Sequence, residues 1–281
     1  MDEPAAAGSA AFRVLQAAAA LCFIGHGAFG VITKAAWVPY FGVVGIGRDA
    51  AYTLMPVVGT VDILLGLAVL LRPTRAGLAY MAGWALWTAL LRPLAQEGGA
   101  EMLERAGNYG VPLALLLLAG AGRPRAGWFA RLEPRAFDAA TRRRVAWTLR
   151  ATTATLLLGH GLLALGGKPL LVRHLAAVGL GDGATGLARV AAQGGLEVAL
   201  ALAILVAPAP ALLLVALTWK LATEMLFPIT GGSFWELVER GGSYGAPLAL
   251  LLLQRVGRSP AALPSPPRSS ASSSLDLIPG S

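Results

Sequence analysis

Long apolar runs alternate with short polar segments along most of the chain. A helix needs about 20 apolar residues to cross a bilayer, and eight stretches reach or approach that length. The pattern therefore predicts an all-α, polytopic membrane protein with eight transmembrane helices. The predicted spans are residues 14 to 33, 51 to 71, 76 to 94, 100 to 121, 146 to 166, 187 to 207, 209 to 228 and 236 to 255.

The fourth and eighth predicted spans are exceptional because their apolar parts, 111 to 121 and 246 to 253, are too short to cross a bilayer. They reach spanning length only if each helix begins further back, among charged residues. We therefore expect these residues at the membrane boundary: Glu101, Glu104 and Arg105 in one span, and Glu236, Glu239 and Arg240 in the other.

A long repeat divides the chain into two halves. Residues 104 to 118 recur 135 positions later as 239 to 253, with twelve of fifteen positions identical. Each half holds four predicted spans, an even number, so both halves insert the same way up. The expected organisation is a four-helix membrane repeat at 1–121, an Arg-rich linker at 122–145, a second repeat at 146–256 and a disordered Ser/Pro-rich tail at 257–281.

Composition agrees with a membrane location. The chain is 56% hydrophobic and 14% charged, against about 25% charged for globular domains. The net charge of +8 resides mainly in the loops, without a basic face interleaved with aromatic residues, so nucleic acid is not an expected partner. The expected partner is the lipid bilayer.

Lys and Arg gather on the cytoplasmic side of membrane proteins, and fourteen lie on the side of both termini against eight on the other. We therefore expect a multi-pass plasma (inner) membrane protein with both termini cytoplasmic. Arg13 is the only basic residue before the first span, which is a poor signal-peptide pattern, so that span is predicted to be retained. The linker is either an interfacial segment on an anionic leaflet or a plain positively charged loop.

Both halves keep the same polar residues within their spans. Gly-His-Gly occurs in the first helix of each half, and an acidic residue lies midway along the second. Tryptophan and tyrosine also recur, whereas Glu224 has Ala89 as its counterpart. The candidate ligand-binding residues are His26, Asp62, Trp84, Tyr109, His160, Glu197, Trp219, Glu224 and Tyr244.

A carboxylate in midspan costs several kcal/mol unless it is paired, protonated or near water. The simplest account pairs His26 with Asp62 and His160 with Glu197, because glycines beside each histidine let a neighbouring helix approach. Such pairs either line a ligand-filled vestibule in the outer half of each bundle or serve packing alone. For the two tryptophans, interfacial anchoring or core packing is favoured over a place in such a vestibule.

The repeat also predicts ion pairs four residues apart, Glu101 with Arg105 and Glu236 with Arg240. With Lys34 and Lys168 these residues form a polar cluster near the outer membrane boundary. The Tyr-Gly-x-Pro segment that follows predicts a kinked entry into the last helix of each half.

Candidate chemistry is sparse. Cys22 is the only cysteine, which excludes an intrachain disulfide, a Cys-x-x-Cys pair and a cysteine-based zinc site. No catalytic nucleophile arrangement, phosphate loop or metal site is predicted. His26 and His160, at equivalent places, also raise the possibility of one haem held between the halves.

Each half resembles the DoxX-like family of four-helix membrane proteins. The similarity rests on His26-Gly27 with Lys34, His160-Gly161 with Lys168, and an acidic residue in a glycine-containing second helix. The family's glycine-rich ending after helix four is missing. The resemblance implies a quinone-linked or thiol-redox system at the membrane, which with one cysteine requires a quinone, a haem or a redox partner protein.

Three functions stay open from the sequence. The first is a non-enzymatic or accessory protein that binds a quinone or another small amphipathic ligand beside His26, Asp62, His160 and Glu197. The second is a proton-coupled small-molecule transporter, in which the carboxylates carry protons. The third is a membrane scaffold or assembly factor that acts through the linker.

Overall fold

The structure, a computed structural model, describes residues 3–120 and 127–256, and every regular element in these ranges is a helix. An isolated antiparallel bridge joins Thr74 to Arg131. The first half contains α1 (Glu3–Val31), a 3-10 turn (Ala35–Trp37), α2 (Val38–Val43), α3 (Arg48–Leu71), α4 (Arg75–Leu94), α5 (Gly99–Glu104) and α6 (Ala106–Gly120). The second half contains α7 (Ala139–Leu165), α8 (Pro169–Ala177), α9 (Gly183–Val206), α10 (Pro210–Ile229), α11 (Phe234–Glu239) and α12 (Gly241–Val256).

Several helices have the length and composition of membrane spans. Four of them, α1, α3, α9 and α10, are long and apolar enough to cross a bilayer. A fifth results if α7 and α8, which meet at a bend of 82°, form one span. The all-helical membrane architecture predicted from the sequence is thus supported at this coarser level.

Several helix boundaries differ from the predicted ones. Both α1 and α7 begin earlier than expected, and α7 includes the end of the predicted linker. The Asp138 side chain caps α7 by accepting a hydrogen bond of 2.7 Å from the Thr141 N–H, which also lowers the pKa of Asp138. The short helices α2 and α8 occupy segments that had been read as loops.

The fourth and eighth predicted spans are each divided into two helices. The interruptions fall at Arg105 and Arg240, between α5 and α6 and between α11 and α12. These interruptions precede the Tyr-Gly-x-Pro segments, whose Pro112 and Pro247 are inside α6 and α12. The charged starts of these spans are helical, as spanning length requires.

Glycines set the closest helix contacts within each half. A Cβ atom on Gly59 of α3 would lie 2.4 Å from the Gly27 carbonyl oxygen of α1. At the corresponding place in the second half, a Cβ atom on Gly194 of α9 would lie 2.6 Å from the Gly161 carbonyl oxygen of α7. Because the backbones are this close, only glycine fits at position 59 of α3 and at position 194 of α9.

The two halves interlock rather than lie side by side. Helix α12 packs on α1, and α6 packs on α7, so the last helix of each half contacts the first helix of the other. Gly107 of α6 and Gly242 of α12 meet each other, because a Cβ atom on Gly242 would approach the Gly107 carbonyl oxygen to 2.4 Å. Every ligand-binding candidate therefore lies in one continuous helical core.

At the end of the bundle where α3 and α9 finish, side chains cap the helices. Gln16 donates to the carbonyl oxygens of Val69 and Leu70 at the end of α3. Arg150 donates to three carbonyl oxygens at the end of α9, where a cation also complements the helix dipole.

The described part of the linker lies against this end of the bundle, with Leu132 buried in the core and bonded through its N–H to the Pro73 carbonyl. Residues 122–126 of the predicted linker and the predicted tail at 257–281 lie outside the described residues.

The glycine contact predicts a sharp difference between two adjacent positions of α9. In Gly194→Ala the new methyl group meets the Gly161 carbonyl, and such overpacking costs about 1–3 kcal/mol. A Cβ atom on Gly195 would have nothing within 4 Å, so Gly195→Ala is the matched control. We expect the melting temperature in detergent to fall by about 5 °C for Gly194→Ala alone. Equal melting temperatures for both variants would contradict the close approach.

Candidate functional site

Each histidine of the two Gly-His-Gly motifs is paired with the acidic residue of the next long helix, α3 in the first half and α9 in the second. His26 Nδ1 lies 2.7 Å from Asp62 Oδ2, and His160 Nδ1 lies 2.6 Å from Glu197 Oε2. Since a carboxylate accepts, Nδ1–H donates, and in the neutral imidazole Nε2 is left as an acceptor. Both pairings predicted from the sequence are confirmed.

The glycines beside each histidine contact two different neighbours. Gly27 faces α3 of its own half, whereas a Cβ atom on Gly25 would lie 2.3 Å from the Glu239 nitrogen of the other half. The same division holds for Gly161 and Gly159, whose Cβ atom would lie 2.2 Å from the Glu104 nitrogen. The Gly-His-Gly motif thus places each histidine where the two halves meet.

A cavity of about 270 Å³ lies against His26, between α1, α2, α3 and α4. Its walls are largely aromatic and aliphatic, and the His26 ring stacks on Trp37 with ring centroids 4.5 Å apart. Polar groups converge at its inner end, where Arg92, Arg105, Asn108 and Glu239 join His26. The aromatic wall is formed by Trp37, Tyr40, Phe41, Trp84 and Trp87.

The mouth of the cavity opens on the apolar outer surface of the helices. Leu54 and Val57 of α3 and Trp87 of α4 line the cavity and are also among the exposed large apolar side chains. Such a surface on a membrane-spanning helix faces lipid. An amphipathic ligand can therefore place its head group inside while its tail remains among the acyl chains.

Contacts among Tyr40, Arg92 and Glu97 hold α2 against the cavity. The Tyr40 O–H donates to Glu97 Oε1 at 2.6 Å, and Arg92 donates to Glu97 Oε2 at 2.9 Å. The Arg92 guanidinium also lies over the Tyr40 ring, 5.1 Å from its centroid. These contacts fix the aromatic wall that α2 contributes.

The second half fills the corresponding space with side chains. Lys220 and Glu224 form a buried ion pair of 2.6 Å at the positions where the first half has Ala85 and Ala89. The side chain of His160 is accordingly 5% exposed, against 19% for His26. The two histidines share a pairing but not an environment.

The candidate residues predicted from the sequence are only partly brought together. Of the nine, His26 and Trp84 line the cavity, and Asp62 lies behind His26 as its partner. In the second half, the candidates are engaged in pairing: Glu197 is bonded to His160 and Trp219, and Glu224 to Lys220 and Arg240. Tyr244 donates to the Leu237 carbonyl, and Tyr109 does not line the cavity.

Sequence reasoning missed most of the cavity wall. Trp37 and Tyr40 lie in the segment after the first span, which carries no membrane-span pattern, and their aromatic character was the available signal. The signal for Asn108 was the repeat itself, since Asn108 and Ser243 stand at one of its three positions that differ.

A haem shared by the two histidines does not fit these residues, since His26 lines the cavity without His160. Within the described ranges there is also no group of three or more His, Cys, Asp or Glu side chains suited to a metal ion.

The polar inner end belongs to an ion-pair network that joins the halves. Lys34 pairs with Glu236 at 2.6 Å, and Lys168 pairs with Glu101 at 2.9 Å. Arg240 is its most connected member, with nitrogens 2.8 Å from Glu224, 2.6 Å from Glu236 and 3.6 Å from Glu104. The network consists of Lys34, Arg92, Glu97, Glu101, Glu104, Lys168, Lys220, Glu224, Glu236 and Arg240, and the pair Arg105–Glu239 lies beside it.

One of the two predicted pairs within the repeat is wrong. Glu236 and Arg240 pair as expected, but Arg105 bonds Glu239 of the other half at 3.1 Å, while Glu101 pairs with Lys168 and Arg92. Arg105 lies at the break between α5 and α6 and lines the cavity, so its guanidinium is directed away from α5.

Removing Arg240 tests how strongly the network holds the halves together. Arg240→Met removes a cation from buried Glu224 and from the partly buried Glu104 and Glu236, and breaking a buried ion pair costs about 3–5 kcal/mol. Arg255→Met, at the exposed end of α12, is the control and should change stability little. Thermal unfolding followed by size-exclusion chromatography measures both. Similar melting curves would show that the network adds no stability.

The residues that carry the DoxX-like resemblance lie together at this site. His26 and Lys34 contact Asp62 and Glu236, and their counterparts in the second half contact Glu197 and Glu101. Membership in that family remains a prediction. Comparison of the chain with protein-family models, with curated proteins and with solved structures finds no match.

Proposed function

We propose that the chain is an eight-span membrane protein in which two four-helix units are arranged in parallel about a central axis. The repeat at an offset of 135 residues supports this arrangement, as do the two His–acid pairs at equivalent positions. The contact between Gly107 and Gly242 adds support, because residues equivalent by the repeat meet only near a pseudo-two-fold axis. Helices α5 with α6, and α11 with α12, are then the broken fourth spans.

In this arrangement the protein binds a small amphipathic ligand with a flat ring, of which a quinone is the leading candidate, as an accessory to a membrane redox system. The observation that carries the proposal is the cavity at His26, with aromatic walls, a polar inner end and a mouth among lipid-facing side chains. Its volume of about 270 Å³ suits a ring head group, with the tail left outside. A bound quinone would supply reversible two-electron chemistry.

The charge balance at the inner end favours a neutral head group. Arg92 is paired with Glu97 and Glu101, and Arg105 is paired with Glu239. An anionic ligand would have to displace a carboxylate from a buried guanidinium, and such pairs are costly to break. A neutral ring with hydrogen-bonding groups needs no such exchange.

A redox role requires a partner protein. Cys22 is the only cysteine and is buried, so thiol exchange with another protein cannot run through this chain as it stands. The ligand itself is then the carrier that a membrane redox partner oxidises or reduces.

The proposed location is the plasma membrane with both termini in the cytoplasm and the cavity in the outer half of the bilayer. The excess of Lys and Arg on the side of the termini supports the orientation. Cavity-lining residues come from the end of α1, the beginning of α3 and the end of α4, which all lie at the opposite end of the bundle.

Two other functions receive less support. Proton-coupled transport by two rocking halves needs both carboxylate sites to reach water, whereas Glu197 and His160 are buried. The ion pairs that cross between the halves also oppose a rocking motion. A scaffold acting through the linker has weaker support: Leu132 of the linker packs in the bundle, whereas Trp128 and Phe129 are exposed and contact no described partner surface.

Removing each His–acid pair as a unit tests the binding function without leaving a charge unpaired. His26→Phe with Asp62→Leu should weaken binding of a decyl-tailed benzoquinone by at least about tenfold, because the cavity loses the hydrogen-bonding ring of His26. The matched control, His160→Phe with Glu197→Leu, should keep the affinity. Quenching of tryptophan fluorescence reports binding, since Trp37, Trp84 and Trp87 line the cavity.

Failure of the decyl-tailed benzoquinone to bind the parent protein would contradict the proposed ligand class. Equal weakening by the two double variants would contradict the assignment of the site to the first half. A monodisperse size-exclusion profile is required of every variant before its affinity is compared.

A further inference from the structure

The acid beside the cavity is one methylene group shorter than its counterpart, and the difference leaves hydrogen-bonding groups unused. In the second half, Glu197 accepts from His160 Nδ1 at 2.6 Å and from Trp219 Nε1 at 2.7 Å, so both of its oxygens are bonded. In the first half, Asp62 Oδ2 accepts from His26 Nδ1 at 2.7 Å. The equivalent tryptophan is Trp84.

Asp62 Oδ1 and Trp84 Nε1 are both buried and have no hydrogen-bond partner among the residues that the structure describes. A buried donor or acceptor left unsatisfied costs about 1–3 kcal/mol. Asp62 Oδ1 is an acceptor and Trp84 Nε1 is a donor, and Trp84 lines both the cavity and a smaller pocket beside it.

A small pocket of about 10 Å³ lies beside the cavity, and we name it the inner pocket. It shares His26, Trp84, Thr88 and Asn108 with the cavity wall, so it continues the cavity towards the helix core. A volume near 10–15 Å³ holds about one water-sized group. The inner pocket thus has room for one oxygen atom of a ligand and for no larger substituent.

The groups around the inner pocket present both hydrogen-bonding roles. With Nδ1–H committed to Asp62, neutral His26 offers Nε2 as an acceptor. Trp84 offers its N–H as a donor, and the Asn108 amide, which can do either, makes no side-chain hydrogen bond within the described ranges. A carbonyl or ether oxygen accepts only. A hydroxyl group accepts from Trp84 and donates to an acceptor at the same time.

We infer that the inner pocket is a hydroxyl-binding site, so that the cavity binds ring ligands bearing a hydroxyl group, phenols and hydroquinones, in preference to their ether or carbonyl counterparts. The inference rests on the proposed ligand-binding function and names the chemical class of ligand. Trp84, which lines the inner pocket, is the residue that sets the preference, and lengthening Asp62 to glutamate would occupy Trp84 Nε1 as Glu197 occupies Trp219 Nε1 in the second half.

The test compares two probes that share the ring and the tail, p-octylphenol and its methyl ether. Isothermal titration calorimetry of the full chain in detergent measures both affinities. We expect the phenol to bind at least about tenfold more tightly, because a site built to bond a hydroxyl rejects an analogue lacking it. Both probes are neutral and stable in air, so neither redox state nor charge enters the comparison.

Asp62→Glu is the decisive variant. It keeps the negative charge and the histidine pairing, and it should bring the two affinities together by letting the carboxylate reach Trp84 Nε1. The matched control is Glu197→Asp, which makes the reverse change in the second half and should preserve the preference for the phenol. Trp84→Phe removes the donor by a different route and should also reduce the preference, so the test survives if Asp62→Glu does not fold.

The outcomes separate this inference from the proposed function. Equal binding of the two probes by the parent protein, as expected if the inner pocket holds only water, overturns the hydroxyl site and leaves ring binding intact. Absence of binding by both probes overturns the ligand-binding function itself. A preference for the phenol that persists in both Asp62→Glu and Trp84→Phe overturns the assignment to Trp84.

Discussion

The need to pair charge inside an apolar bundle governs this structure. Six lysine or arginine side chains and six glutamates form ion pairs at one end of the helices, and most of the members are less than one fifth exposed. Unpaired, such groups would cost several kcal/mol each in a membrane. Of the ten such pairs among the described residues, five join the two halves of the chain, as Lys34 with Glu236 and Arg105 with Glu239 do. The pairing requirement therefore fixes how the halves interlock.

The cavity arises from a small departure from the repeat within that frame. Where the second half has the buried pair Lys220–Glu224, the first half has two alanines, and where the second half has Glu197, the first has Asp62. Ala85 lines the inner pocket together with His26, so its small side chain leaves space there. One histidine consequently faces a ligand-sized space, while its counterpart is held in a packed core. Under the proposed function, duplication would allow one copy to maintain the fold while the other binds a ligand.

The sequence predicted some features of the site well because their physics is local or pairwise. Midspan carboxylates need partners, and the glycine-flanked histidines were the nearest available, so both His–acid pairs could be predicted. Arg105 could not be placed, because its partner depends on how the halves interlock, which no spacing within the repeat reveals. Trp37 and Tyr40 were missed since α2 is short and outside any span pattern.

The central claim is that one half of the chain binds the ligand and the other does not. Photo-crosslinking with an azido-quinone, followed by peptide mass mapping, tests it most directly. The account predicts adducts on the cavity-lining segments, residues 37 to 58 and 84 to 108, which quinone in excess suppresses. Adducts concentrated on residues 171 to 193 or 219 to 237, second-half segments that stop short of the cavity-lining Glu239, would contradict it.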